Sequence, residues 1–216
     1  MFDPEALVRA ASAALARGEF TGASEAFEDA ARQYLQTLLV DEGILAAVAA
    51  ARASLQAGDP IRAEVLLEPL GPLAASCRGH GAWLAAWADA GDALRSSAEQ
   101  RARWLSVRTG PDARGRARAA LRLGEIARAD GDLLGAAASL TSARQESETQ
   151  ALPEIAHAAR LRLAEVRLSL RQARLALAAL AAHDTDDPVA ERLRAAAEEM
   201  VRESQASDAD PDDGPP

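Results

Sequence analysis

The chain has no Lys and no Asn, so all 24 of its basic residues are Arg. It has one Cys, Cys77, which excludes an intramolecular disulfide and fits a reducing, cytoplasmic setting. Aromatic residues make up only 3 %, so no core built on large rings is available. No uncharged apolar run reaches the 18 or so residues of a membrane span. The opening MFDPEALVRA carries acids where a secretory leader needs basic charge, so no signal peptide is expected. Period-two alternation is never sustained, which leaves no basis for a sheet. Together these absences exclude a secreted disulfide scaffold, a membrane helix and a β fold.

Apolar residues make up 49 %, and Ala supplies most of them. Ala enters helices most readily because it loses no side-chain entropy there. The fold class is therefore all-α, with helices touching through Ala and Leu. The joint excess of Arg and Ala fits a bacterial-type GC-rich genome. Asp-Pro pairs at 3–4, 59–60 and 187–188 each precede an apolar-periodic run. They predict helix starts, since Asp accepts from free amides and Pro has none to waste at the first position.

Residues 118–143 carry a spaced set of small residues: Ala120, Leu123, Gly124, Ala127, Gly131, Ala136, Leu140 and Ala143. Their spacing resembles the tetratricopeptide (TPR) repeat, W-x2-L-G-x2-Y followed by Ala and Phe, with Ala in place of the Trp and Tyr and Leu in place of the Phe. With Gly131 as turn marker, further copies fall at Gly18, Gly58, Gly91 and Arg171. Three of the four gaps are 40 residues, which predicts helices of about 15 to 18 residues. The third copy is degenerate, with Ser96, Gln100 and Arg103 at the packing offsets.

The resemblance implies a right-handed α-solenoid of about five antiparallel hairpins over 1–204. The hairpins are expected at 3–38, 41–70, 73–109, 111–148 and 152–183. A one-sided helix over 187–204, with Val189, Leu193, Ala196 and Met200 on its stripe, would cap the stack. Residues 205–216 carry four Asp and three Pro with no large apolar residue, and are expected to be a disordered acidic tail.

Chemistry-bearing residues are thin. His80, His157 and His183 fall in different hairpins, and Cys77-x2-His80 lacks the further ligands a zinc site needs. No Gly-rich loop follows a strand, so phosphate cradles are absent. No catalytic residue, cofactor or metal is expected, and the chain reads as non-enzymatic.

Charge is more informative. The formal net charge is −9, which argues against general nucleic-acid or anionic-membrane binding. Yet residues 95–128 carry nine Arg against three acids, and 160–174 carry five Arg against Glu165. The resemblance implies a ligand groove lined by the first helix of each hairpin. The fourth and fifth copies would present Arg118, Leu121, Arg122, Glu125, Arg128, Leu161, Arg162 and Glu165 there. A protein or peptide partner, possibly acidic, suits that face, because guanidinium forks pair with carboxylates. The family's chaperone-tail clamp uses Lys and Asn, and this chain cannot build it. The alternative function is nucleic-acid binding or regulation through the Arg-rich segment 101–128, with Trp104 as its one aromatic. Trp83 and Trp87 share a helix face, as core packing or as a homodimer patch.

Overall fold

The computed structural model describes residues 3–181 and 187–208, the side chains of 207 and 208 aside. The described residues form helices and turns, without strands. The chain divides into two compact units between Gly115 and Arg116, whereas the sequence reading has one domain over 1–204.

The first unit begins with α1 (Pro4–Ala16), α2 (Phe20–Gln36), α3 (Val40–Gln56) and α4 (Pro60–Leu67). A 3₁₀ turn, Glu68–Leu70, and the short α5 (Gly71–Ala74) follow. Then come α6 (His80–Asp92) and α7 (Ser97–Arg108). The second unit takes most of α8 (Ala113–Ala129) with α9 (Leu133–Thr149), α10 (Pro153–Ser169), α11 (Ala173–Leu180) and α12 (Pro188–Asp208). Helices α2, α3, α8, α9 and α10 each have 17 residues, within the expected range, whereas α1, α4, α6, α7 and α11 fall short of it at 13, 8, 13, 12 and 8.

The Asp-Pro pairs start helices as read. Asp3 accepts from the Glu5 amide at 3.0 Å, Asp59 from Arg62 at 2.9 Å and Asp187 from Val189 at 2.8 Å. Helix ends obey a stricter rule than the sequence showed. Residues in the left-handed region recur every twenty positions, at Gly18, Leu38 and Gly58 in the first unit and at Gly131, Ala151 and Arg171 in the second. At each, the next amide reaches back to a carbonyl five residues earlier, as Glu19 does to Ala14 at 3.0 Å and Gln172 to Arg167 at 2.8 Å. This double-bonded ending satisfies carbonyls that the helix leaves orphaned. The 40-residue period is thus two identical 20-residue steps, one helix and one turn each.

Three of these six turns are made without Gly, at a cost because a Cβ crowds the backbone where φ is positive. Leu38 has φ +62° and is 83 % exposed, so its side chain gains little from packing. Leu38→Gly is expected to stabilise the protein by up to about 1 kcal/mol in urea denaturation. An unchanged or lower midpoint would show that the leucine has a contact outweighing its strain.

Three expectations are corrected. The second helix of the 41–70 hairpin ends at Leu67, because Pro69 and Pro72 lack the amides that would continue it. Gly91 is no turn residue but a buried position within α6, and the third hairpin turns at 93–96 with no left-handed residue. There a capping box replaces the glycine ending: Ser96 and Glu99 bond each other's backbone amides across the start of α7. At the C-terminus α12 runs to Asp208, four residues into the expected tail, since Gln205 and Ala206 are good helix formers. Residues 209–216 lie outside the described residues, as does His183.

Both units pack small residues against each other. Ala11 and Ala14 of α1, Ala23, Phe27 and Ala30 of α2, and Ala47, Ala50 and Ala53 of α3 are buried in the first unit. Ser24 and Ser54, each 1 % exposed, hydrogen-bond each other at 2.7 Å across the α2–α3 contact. In the second unit Leu140, Leu163, Val166 and Leu180 join Ala127, Ala136, Ala164, Ala176, Ala190 and Ala197 in one cluster. Close approach is the rule. A Cβ on Gly124 would stand 2.6 Å from Leu140 Cγ.

Candidate functional site

The predicted groove residues lie on α8 and α10, the first helices of two successive hairpins of the second unit. The 40-residue period places Leu121-Arg122 and Leu161-Arg162 at the same register, with Glu125 and Glu165 three residues further on. Residues three apart share a helix face, so each Arg meets the Glu of its own helix. Arg122 bonds Glu125, and Arg162 Nη1 lies 3.0 Å from Glu165 Oε1.

The helices are also joined crosswise. Arg162 Nε stands 3.6 Å from Glu125 Oε1, and Arg128 Nη1 lies 3.3 Å from Glu165 Oε2. The charges form one alternating row: Arg122, Glu125, Arg162, Glu165, Arg128. Each carboxylate serves two guanidiniums, and guanidiniums stand at both ends. Both glutamates are more buried than the arginines around them, with side chains 24 % exposed against 35 to 45 %. The row is a solvated one, and each pair is worth about 0–1 kcal/mol. The row sets three guanidiniums against two carboxylates. Leu121 and Leu161 beneath are half-buried against the core and give the face an apolar floor. Arg118, one turn before Arg122, is half-buried and has a partner of its own.

The Arg-rich segment 101–128 does not form a stacking platform. Trp104 is fully buried and donates from Nε1 to Asp92 Oδ1 at 2.8 Å. Arg103 is buried as well, and Arg101, Arg108, Arg114, Arg116, Arg118 and Arg122 all have partners. The aromatic that would hold a base is therefore part of the core.

The sequence reading missed a buried charged cluster in the first unit. Glu64 of α4 is 7 % exposed and receives Arg95 at 2.8 Å and also Arg103. Arg103 donates from Nη1 to the Trp87 carbonyl at 3.0 Å, and its guanidinium lies 4.0 Å from the Trp87 ring centroid. Trp83 and Trp87 stack at 5.5 Å, and Trp83 donates to the Leu67 carbonyl at 2.9 Å. The two rings are occupied inside the unit, with Trp83 buried and Trp87 under Arg103, so they do not form an exposed pair. Burial pushes the Glu64 carboxyl up, but the two arginines bonded to it outweigh burial and hold it below the ordinary carboxylate range. A glycine explains the fit: a Cβ on Gly91 would stand 2.8 Å from Arg103 Cδ. The signal in the sequence was Arg103 at a packing offset after Gly91, read there as degeneracy.

Among the described residues no group of three His, Cys, Asp or Glu could hold a metal ion. His80 stacks on Trp83 at 6.2 Å, and His157 Nε2 lies 3.2 Å from Asp187 Oδ2. No described helix is long and apolar enough to cross a membrane.

No protein-family model matches the sequence. Nor does any curated protein match it. Solved structures do. One is a single-substitution form of a protein named as a kinesin light chain of Podosopora anserina, with nearly identical TPR-like repeats. It is 19 % identical, with a TM-score of 0.63, over 94 % of this chain and 99 % of that one. The structure without that substitution gives 18 % and 0.61 over 98 % and 100 %. At such identity the likeness is one of fold. The chain has an all-α, TPR-like helical-repeat fold, and folds of this kind generally mediate protein–protein interaction.

Proposed function

We propose that the chain is a non-enzymatic, cytoplasmic adaptor that binds an acidic, amphipathic segment of a partner protein across α8 and α10. The observation that supports this is the repeated Leu-Arg-x-x-Glu register, which gives the face an alternating charged row over an apolar floor. Carboxylates of a partner would meet the guanidiniums at the ends of the row, Arg122 and Arg128, whose side chains are 35 % and 45 % exposed. A partner's apolar side chains would rest on Leu121 and Leu161. The glutamates serve selectivity as well as stability, because they hold the forks in place and repel acids aimed at the centre of the row.

The test is fluorescence anisotropy with a labelled amphipathic peptide carrying Glu on one face and Leu on the other. Arg122→Glu with Arg162→Glu should weaken binding by about tenfold or more, and salt should weaken the wild type while leaving the variant flat. Equal affinity in wild type and variant would end this reading of the face.

A further inference from the structure

A second surface of the second unit has no role in that reading. Between the start of α11 and the end of α12 lies a cleft of about 600 Å³. Its walls are Arg171 and Arg174 on one side and Glu203, Ser204 and Gln205 on the other, and its floor is Leu175, Met200 and Val201. The volume falls in the range of true binding sites. Leu175 is 49 % exposed, so the floor is open to an occupant. Arg171 and Arg174 are both exposed, and neither has an ion-pair partner among the described residues. Neither arginine belongs to the charged row of α8 and α10.

We propose that this cleft is the docking site of the chain's own acidic segment 209–216, held by Arg171 and Arg174. The segment reads ADPDDGPP, with Asp210, Asp212 and Asp213 and no basic residue. Its charge complements the two guanidiniums, and its prolines suit an apolar floor while carrying no amide to desolvate. Reach is sufficient. Gln205 lines the cleft and α12 ends at Asp208, about 5 Å further along the axis at 1.5 Å per residue. Eight extended residues span roughly 26 Å, several times the distance back. Tethering supplies an effective concentration in the millimolar range, so two weak ion pairs together with the apolar contact favour the docked state where separate chains would not associate.

The experiment uses the full chain with Cys77→Ser and Gly214→Cys, the new thiol carrying a nitroxide, and reads methyl signals by NMR. At low salt the methyls of Leu175, Met200 and Val201 should broaden several-fold more than those of Leu121 and Leu161. The excess should fall several-fold in about 0.5 M salt, where exposed charges are screened, to the residual level that an undocked tether beside the cleft leaves. It should fall to the same level with Arg171→Gln and Arg174→Gln and with Asp210→Asn, Asp212→Asn and Asp213→Asn. Broadening strongest at Leu121 and Leu161 would overturn the proposal by placing the segment on the α8–α10 face. No preferred site, or broadening that grows with protein concentration, would also overturn it, the latter by showing capture of a second copy's segment.

Discussion

Glu64→Ala should destabilise the protein by about 4 kcal/mol in denaturant unfolding, among the largest single effects in the chain. The carboxylate is nearly buried and bonded by two arginines, and Arg103 is itself buried. Removing the carboxylate leaves Arg103 with the Trp87 carbonyl and ring but without the carboxylate bonded to it. An uncompensated buried charge costs far more than the pair contributes. Glu64→Leu combined with Arg103→Met should therefore recover most of the loss, since both charges leave together and volume is kept. Equal instability of the double variant and Glu64→Ala would show that packing rather than charge holds this contact.

The same cluster fixes a pH dependence. The Glu64 carboxyl is held below its ordinary value of 4.5, so folding favours the ionised form. Its contribution is complete above that value and is lost as pH falls through the lower folded-state value. Wild type should thus lose stability below about pH 4.5 more steeply than Glu64→Leu/Arg103→Met, which lacks the titrating group.

Leu140→Ala is expected to cost about 3 kcal/mol, because Leu140 is fully buried and truncation leaves a cavity. Its partner position makes the case testable beyond hydrophobicity. Gly124 lies so close that its missing Cβ would stand 2.6 Å from Leu140 Cγ and 3.3 Å from the Ala136 carbonyl oxygen. Gly124→Ala alone gains up to about 1 kcal/mol in helix propensity and loses about 1–3 kcal/mol to overpacking. Once Leu140 is shortened, the added methyl occupies vacated space. Gly124→Ala with Leu140→Ala should then cost about 1–2 kcal/mol less than the two single effects summed. Strict additivity in urea denaturation would mean that the helices separate to relieve the clash.

The sequence by itself determined the helices and most of their ends. Ala abundance removed the entropic obstacle to helix formation, and Asp-Pro and Gly are local signals whose physics acts within a few residues. That is why Pro4, Pro60 and Pro188 start helices where read, and why Gly18, Gly58, Gly131 and Arg171 mark turns. The register of Arg122 with Glu125 and Arg162 with Glu165 was legible too, because i,i+3 spacing is a property of one helix. Tertiary structure alone decided which carboxylate each arginine shares across helices, since Arg162–Glu125 and Arg128–Glu165 join residues 37 apart. It also reassigned Gly91 from turn to passage for Arg103, and decided for Trp104 between the core and a stacking surface, in favour of the core. Those roles depend on what another helix brings within 4 Å, and no local pattern records that neighbour.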